Sequence, residues 1–244
     1  MHYRCILLSV LLPVLGLSSC SPLGEARSSS PEALRPALPG GWCYVDTVAP
    51  SVRVDLKYAG SDNFVGRPID GYTGRRAVLR REAAEGLARV SKQLADEGLG
   101  LLIWDAYRPK RALRDFRAWS ASPDDRQKAE FYPHLSKEDI YRDRYIGDSS
   151  EHCWGIAVDI TLVDLKTGRP LDMGGRHDLL DPSSATDCET ISPQQRQNRH
   201  KLREAMAAGG FRNYSKEWWH YYHYPLPKPL LEYDFPLDDD MQSP

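Results

Sequence analysis

The sequence predicts an α+β fold, a single compact domain whose small, mostly antiparallel central sheet is flanked by helices. Of the 244 residues, 41% are hydrophobic and 27% are charged, which is typical of a globular domain rather than of a disordered chain or a membrane bundle. The length suits one domain. Segments with strand and helix periodicity are mixed without regular alternation, which argues against a doubly wound parallel sheet.

Residues 1–19 resemble a bacterial lipoprotein signal peptide. Arg4 supplies the positive charge of the n-region. Residues 6–17 form an apolar run shorter than the ~20 residues needed to span a bilayer. The run ends in Leu17-Ser18-Ser19-Cys20, which resembles a lipobox and predicts that Cys20 carries the lipid. The alternative is an ordinary signal peptide cleaved near Ser19, with Cys20 incidental.

Such a leader predicts a lipoprotein of the cell envelope that faces the periplasm and has the membrane as a partner. Residues 20–41 are rich in Ser, Pro and Gly and predict a flexible tether, whereas residues 42–244 form the folded domain. Ser21, rather than an acidic residue, follows Cys20, and by resemblance to enterobacterial sorting this favours the outer membrane. The net charge of −2 predicts no nucleic-acid partner.

Three cysteines, Cys43, Cys153 and Cys188, belong to the predicted exported domain, which is an odd number in an oxidising compartment. One disulfide and one free thiol are compatible with that number, and the sequence leaves the pairing open. The chain has no CxxC pair, which argues against a cysteine zinc site and against a thioredoxin-type redox site.

The first half of the domain predicts a strand, a loop and a helix. Alternating side chains predict a strand over residues 52–56, and the glycines of residues 62–74 predict a long loop. Apolar residues recur at helical spacing between Leu79 and Leu94 and predict a helix, with Gly98 at its C-terminal cap. A short buried strand is expected at residues 101–104.

The second half predicts two further helices and two strands. Pro109 suits the first turn of a helix, and residues 155–163 predict a β-branched strand that carries Asp159 on the face of Ala157 and Thr161. A second helix is predicted to start with the capping box Ser192-Pro193-Gln194-Gln195 and to end at Gly209. The aromatic residues 218–224 predict the last strand.

Two distant segments contain the side chains that a hydrolytic zinc site uses. Such a site takes three protein ligands and leaves one position open for water. The first segment places His152 at a turn and Asp159 in the strand that follows. The second, Glu217-Trp218-Trp219-His220, adds an imidazole and a carboxylate three residues before it. Each residue taken alone is compatible with a packing role, because only the fold can bring the segments together.

Taken together, these residues resemble the zinc D-Ala-D-Ala peptidases, in which Ser-x-His-x-x-Gly-x-Ala-x-Asp precedes Glu-x-x-His. A collinear series over residues 44–237 resembles the D-alanyl-D-alanine dipeptidase branch of that family. Its segments are Asp62-Asn63-Phe64-Val65-Gly66, Asp70-Gly71-Tyr72, Trp104-Asp105-Ala106-Tyr107-Arg108-Pro109, Thr161-Leu162, Asp172-Met173-Gly174, Asn198-Arg199, Glu217-Trp218-Trp219-His220 and Tyr233-Asp234-Phe235-Pro236.

The resemblance implies one Zn²⁺ per chain, held by His152, Asp159 and His220. It implies that Glu217 is the catalytic base, a carboxylate able to take a proton from water whose pKa the metal lowers to about 7. It also places Arg108 at the family's transition-state position, where a permanently charged guanidinium suits a developing oxyanion. A structural ion pair with a carboxylate such as Asp105 is the alternative for Arg108.

The resemblance further implies a small D-amino-acid dipeptide as substrate. Asp178 falls at the position that receives the ammonium group in the dipeptidases, and this would select a free amino terminus. Ser150, Tyr58 and Tyr72 match positions near the substrate. The alternatives are a capping role for Ser150 and packing roles for both tyrosines.

The sequence therefore predicts a zinc metallopeptidase that hydrolyses D-alanyl-D-alanine to two D-alanines in the bacterial cell envelope. The alternatives are a D,D-carboxypeptidase or endopeptidase acting on peptidoglycan stem peptides, and a wall-binding lipoprotein without activity. The oligomeric state stays open.

Two departures from the family pattern are noted. Cys153-Trp154 follows His152 where polar or basic residues are usual, so that Cys153 is a packed thiol, a disulfide partner or a fourth ligand. His177 stands where an apolar aromatic is more common, and this leaves the dipeptide preference open.

Overall fold

The computed structural model describes residues 37–225, 229, 231–239 and 241, all of which belong to one compact unit, Arg35–Pro244. The predicted signal peptide, Cys20 and most of the predicted tether lie outside the described residues. Within the described part of the chain, no helix is both long enough and apolar enough to cross a membrane.

The described strands are β1 (Trp42–Tyr44), β2 (Arg53–Val54), β3 (Val78–Arg80), β4 (Leu99–Asp105), β5 (Ala157–Asp164), β6 (Phe211–Asn213) and β7 (His220–His223). The core of the domain is a five-stranded sheet with the strand order β2-β4-β5-β7-β6. Only β2 and β4 run parallel among these described strands, and the other three pairings are antiparallel. A separate antiparallel pair joins β1 to β3. The predicted α+β architecture is confirmed.

Six α-helices accompany these sheets in the described chain. They are α1 (Val45–Val48), α2 (Arg81–Ala95), α3 (Lys110–Ser120), α4 (Lys128–Phe131), α5 (Lys137–Arg142) and α6 (Pro193–Ala208), with 3-10 turns at Lys57–Ala59, Glu151–Trp154 and Pro182–Ser184. Helix α2 buries a stripe that includes Leu87, Val90 and Leu94, as its periodicity predicts. The predicted helix began too early, because Leu79 lies in β3.

The predicted capping box at the start of α6 is confirmed. The Ser192 hydroxyl accepts a hydrogen bond from the Gln195 amide, and the Gln195 side chain accepts one from the Ser192 amide. These two bonds satisfy backbone donors that the first turn of a helix cannot satisfy by itself. Pro109 differs slightly from its prediction, because it precedes α3 as the N-cap residue.

Strand β5 lies in the middle of the sheet and is buried over residues 157–163. A strand covered on both faces is a run of apolar residues, and the one acidic side chain within the buried part is Asp159. Its neighbours in register are Asp105 at the end of β4 and His220 at the start of β7. The sheet thereby brings together two segments that are far apart in sequence.

An aromatic cluster fixes the turn that precedes β5. Gly155 has φ +71°, and a Cβ there would lie 2.2 Å from the ring of the fully buried Trp42. Glycine is therefore required both by the left-handed backbone and by the close approach of the indole. The Trp42 ring in turn packs edge-on against Tyr107 and Phe235, at centroid distances of 5.0 and 5.2 Å.

Candidate active site

Three side chains predicted as metal ligands meet at one end of the sheet. His152 lies in the 3-10 turn Glu151–Trp154, where the Ser150 hydroxyl accepts from the His152 amide, and Asp159 lies two residues after the start of β5. His220 is the first residue of β7 and pairs with Asp159 across the sheet. The turn and the two strands thus carry all three side chains to the same point, where each is buried.

The donor atoms of these residues form a nearly equilateral triangle. His152 Nε2 lies 3.1 Å from His220 Nδ1 and 3.3 Å from Asp159 Oδ1, and the third side of the triangle measures 3.2 Å. A tetrahedral zinc ion with ligand bonds of about 2.0–2.1 Å requires donor atoms about 3.3 Å apart. The residues present therefore fit a zinc ion with three protein ligands and one further coordination position.

The hydrogen bonds around the triangle orient its members. His152 Nδ1 lies 2.6 Å from the Ala106 carbonyl oxygen, so this nitrogen carries the proton and Nε2 presents its lone pair. Burial alone would raise the pKa of Asp159, but the imidazoles of His152, His177 and His220 hold that pKa well below its usual range. Asp159 is thus an anionic ligand.

Glu217 lies beside the triangle, with Oε2 4.0 Å from His220 Nδ1. The turn that carries both residues is held by Asn213, whose side-chain amide donates to the carbonyl oxygens of Glu217 and His220, each at 3.0 Å. Burial raises the pKa of Glu217 to about 8, the carboxylates of Asp159 and Asp178 add to this effect, and His220 opposes it. This carboxyl group therefore exchanges a proton near neutral pH.

Arg108 approaches the triangle from the end of β4. Its guanidinium contacts Asp105 Oδ2 through Nε at 3.0 Å and Nη2 at 2.8 Å, and Nη2 lies 3.6 Å from Asp159 Oδ2. The ring of Tyr58 lies 5.1 Å from the guanidinium carbon. The ion pair between Arg108 and Asp105 is therefore formed, and it holds the Arg108 guanidinium close to the metal-ligand triangle.

A cavity of about 670 Å³ opens over these groups and is lined by Arg108, Asp159, Asp178, Glu217 and His220 among others. Asp178 is buried, and its Oδ2 has no hydrogen-bond partner. Burial raises the pKa of Asp178, an effect that the nearby His177 partly offsets. A buried carboxylate with an unpartnered oxygen at a cavity is suited to a cationic group of a ligand.

The three remaining candidates occupy different places. Ser150 and Tyr58 both line the cavity, and the Ser150 hydroxyl also caps the turn by accepting from the His152 amide at 3.3 Å. Tyr72 is not among the lining residues, and its hydroxyl donates to Asp105 Oδ1 at 2.7 Å. The structure thus places Tyr72 behind Arg108, where it supports Asp105 rather than facing the cavity.

The three cysteines within the described residues, Cys43, Cys153 and Cys188, are free. Cys153 is fully buried, and burial raises the pKa of its thiol to about 12. Of the alternatives open for Cys153, the structure therefore shows the packed thiol, and the disulfide alternatives are not formed.

Several residues that shape the site escaped the sequence reasoning. Asp105 appeared there only as a partner of Arg108, yet it also accepts from Tyr72 and lies 3.3 Å from His152 Nδ1. Asn213 and the Ala106 carbonyl carried no chemical signal in the sequence. His177 was noted only as a departure from the family pattern, and its Nε2 lies 3.2 Å from Asp159 Oδ2.

Comparison with known proteins identifies relatives of this site. The family described as D-Ala-D-Ala dipeptidase matches residues 40–235. A D-alanyl-D-alanine dipeptidase of Streptomyces coelicolor is 42% identical over 199 residues, which cover 81% of this chain and 98% of that protein. Another, of Enterococcus faecium, is 41% identical over 198 residues, with the same coverage of 81% and 98%.

A solved structure, VanYB in complex with D-alanine-D-alanine, is similar at 15% identity with a TM-score of 0.37, over 62% of this chain and 74% of that chain.

Proposed function

The chain belongs to the D-Ala-D-Ala dipeptidase family of zinc metallopeptidases, and on that premise we propose that it hydrolyses D-alanyl-D-alanine to two molecules of D-alanine. The observation that carries the proposal is the triangle of His152 Nε2, Asp159 Oδ1 and His220 Nδ1, with sides of 3.1 to 3.3 Å. We assign one zinc ion per chain to these three atoms. Bound there, zinc would supply an activated water and polarise the peptide carbonyl.

Glu217 is proposed as the proton carrier of the reaction. Its carboxylate lies in the cavity beside His220, where it takes a proton from the attacking water and delivers it to the leaving amine. A pKa near the operating pH suits a group that must both accept and release a proton, and burial provides that pKa here. The Asn213 amide holds the turn, so the carboxylate stays in place during both transfers.

Arg108 is proposed to stabilise the oxyanion that forms when water adds to the peptide carbonyl. Its charge is permanent, and its guanidinium is held by Asp105 before substrate arrives. A donor fixed in advance need not reorganise as charge develops in the transition state, which is the source of this kind of stabilisation.

Asp178 is proposed to bind the ammonium group of the dipeptide. Its Oδ2 is buried and unpartnered at the cavity, so an incoming –NH₃⁺ restores a hydrogen bond that the protein itself does not provide. An acetylated amino terminus has no charge to offer and would leave the carboxylate buried and uncompensated. The site would therefore reject blocked peptides and polymeric wall chains.

The decisive experiment measures D-alanine release from D-Ala-D-Ala and from N-acetyl-D-Ala-D-Ala by the purified protein, after chelation and after zinc is restored. We expect zinc-dependent release from the free dipeptide alone. Glu217→Gln should lower kcat at least a hundredfold while zinc remains bound. Equal cleavage of the acetylated substrate would indicate a D,D-carboxypeptidase, and a zinc-bound but inactive protein would indicate a binding role.

We also propose that the protein acts in the cell envelope, anchored by a lipid on Cys20 and directed to the outer membrane. The support is the lipobox-like sequence Leu17-Ser18-Ser19-Cys20 and the serine after it. Such a protein would act on dipeptides released from the wall. Metabolic labelling with a radioactive fatty acid should mark the wild type and leave Cys20→Ser unlabelled. Equal labelling of the two proteins would contradict the anchor.

A further inference from the structure

His177 links the two halves of the proposed substrate site. Its Nε2 lies 3.2 Å from Asp159 Oδ2 and 3.4 Å from Asp178 Oδ1. Asp159 presents its other oxygen to the metal triangle, and Asp178 leaves its other oxygen unpartnered at the cavity. The His177 imidazole therefore contacts Asp159 through the oxygen that faces away from the metal triangle, and Asp178 through the oxygen opposite the one proposed to bind the ammonium group.

The backbone explains how neighbouring residues reach the same point. Side chains of successive residues in an extended chain point to opposite sides. Asp178 has φ +59°, in the left-handed region that aspartate tolerates better than most residues. The turn at this position lets the side chains of His177 and Asp178 converge. Arg176, just before them, anchors the loop through ion pairs with Asp62 and Glu130.

Aromatic rings hold the imidazole of His177 in a fixed orientation. The ring of Trp104 lies across it at a centroid distance of 5.1 Å and an interplanar angle of 36°, and Trp219 meets it edge-on at 5.6 Å. The His177 side chain is only 5% exposed. A phenylalanine would fit the same aromatic surroundings but would donate no hydrogen bond, so the imidazole nitrogen is the feature that requires a chemical explanation.

Resting on the function proposed above, we propose that His177 is a positioning residue that holds Asp159 and Asp178 at a set spacing. Its N–H restrains the outer oxygen of Asp159, which keeps Oδ1 toward the metal site. The same nitrogen lies 3.4 Å from Asp178 Oδ1, and this electrostatic contact restrains that oxygen and leaves Oδ2 directed at the ammonium group. The distance between the scissile carbonyl and the amino terminus of a dipeptide is fixed, so this spacing makes His177 a determinant of dipeptide specificity.

The test compares His177→Phe, which removes the donor, with His177→Gln, whose amide nitrogen can replace Nε2. For each variant, KM and kcat on D-Ala-D-Ala and the zinc dissociation constant would be measured, the latter by competition with a chelator. We expect His177→Phe to raise KM and to weaken zinc binding, each about tenfold, with a smaller change in kcat. His177→Gln should recover most of both losses.

His200→Phe is the matched control, because it removes a histidine nitrogen that lies 3.1 Å from a carboxylate oxygen, Asp187 Oδ1, at a surface position outside the cavity. His200→Phe should leave KM and zinc affinity within about twofold of wild type. The proposal is overturned if His177→Phe retains wild-type KM and zinc affinity, or if His200→Phe reproduces its losses. Two zinc ions in the wild type and one in His177→Phe would also overturn it, since His177 would then be a ligand.

The zinc measurement separates this proposal from the function on which it rests. A wild-type protein that does not hydrolyse D-Ala-D-Ala would refute the proposed function. Weaker zinc binding by His177→Phe with recovery in His177→Gln would still support the contact with Asp159, because that measurement requires no substrate.

Discussion

Two groups of charged residues, one buried and one on the surface, use similar side chains for different ends. The surface group, the α3 ion pairs, joins Arg67 to Asp115, Arg111 and Arg114 to Asp234, and Arg117 to Asp148. These pairs lie on the outer face of helix α3, and their arginine side chains are 33–62% exposed. The buried charge cluster comprises Asp105, Arg108, Asp159, His177, Asp178 and Glu217, and none of its side chains is more than 11% exposed.

The two groups differ in how completely their carboxylates are matched. Asp148 receives three hydrogen bonds from Arg117, and Asp234 is contacted by two arginines. The buried charge cluster has four carboxyl groups against one guanidinium, and Asp178 Oδ2 has no partner. Burying more carboxylates than cations away from water costs free energy unless a further cation binds there. The comparison teaches that incomplete pairing under burial, rather than charge density, marks the place where we propose that a metal and an ammonium group bind.

Removing the one guanidinium should have the largest effect. Arg108→Ala leaves Asp105 buried without its cation and removes the oxyanion donor. We expect kcat/KM for D-Ala-D-Ala to fall at least a hundredfold and the free energy of unfolding to fall by about 3–5 kcal/mol. Steady-state kinetics and urea unfolding measure the two effects.

Arg108→Lys is the control for that substitution, because it keeps the charge but loses the planar pair of donors on Asp105. It should recover more stability than activity. A kcat/KM for Arg108→Ala within fivefold of wild type would contradict the role assigned to the guanidinium.

The pKa of Glu217 predicts a pH-dependent difference in stability. The ordinary value is 4.5 and the folded value about 8, so between these limits the folded protein keeps a proton that the unfolded chain has released. Stability of the zinc-free protein therefore falls as pH rises, by up to about 5 kcal/mol over that interval. Glu217→Gln does not titrate at this position and should show a smaller decline, to which Asp178, His177 and His220 still contribute because their pKa values are also raised in the folded protein. Urea unfolding with chelator at pH 5 and pH 8 compares them, and parallel declines would refute the assignment.

Much of this arrangement could be predicted from the sequence because it depends on local signals. The capping box of α6 and the apolar run of β5 are each determined by residues that are close together in the sequence, and both are present in the structure. The candidates His152, Asp159 and His220 were found through motif resemblance. The pairing of β5 with β7 brings Asp159 and His220 together, and the turn before β5 adds His152.

Other features were not predictable because they depend on contacts between distant segments. The left-handed backbone at Asp178 has no glycine to signal it, so the convergence of His177 and Asp178 was hidden. Tyr72 lies in a loop whose path is set by tertiary packing, and its contact with Asp105 spans 33 positions. Strand ends were also misplaced by one or two residues, since pairing rather than alternation decides where β2 and β7 begin and end.

Neutralising the unpartnered carboxylate should separate binding from stability. Asp178→Asn keeps the shape of the side chain but removes a charge-assisted contact, and we expect KM for D-Ala-D-Ala to rise about ten- to a hundredfold. The zinc-free protein should become more stable at pH 8, because less negative charge is buried near Asp159 and Glu217. Kinetics with calorimetry would test both expectations, and a loss of stability with unchanged KM would indicate a structural role.

The smallest effect is expected on the surface, at an ion pair that matches Arg108–Asp105 in chemistry but not in burial. Arg114 Nη2 lies 2.8 Å from Asp234 Oδ2, the same distance that separates Arg108 Nη2 from Asp105 Oδ2. Asp234 keeps Arg111 when Arg114 is replaced, and water screens the pair. Arg114→Gln should therefore lower Tm by less than about 3 °C and leave kcat/KM within twofold. If Arg114→Gln loses much less stability and activity than Arg108→Ala, then burial distinguishes the two ion pairs, because their N–O distances are equal. If the losses of the two variants are comparable, then the geometry of the pair alone determines its contribution.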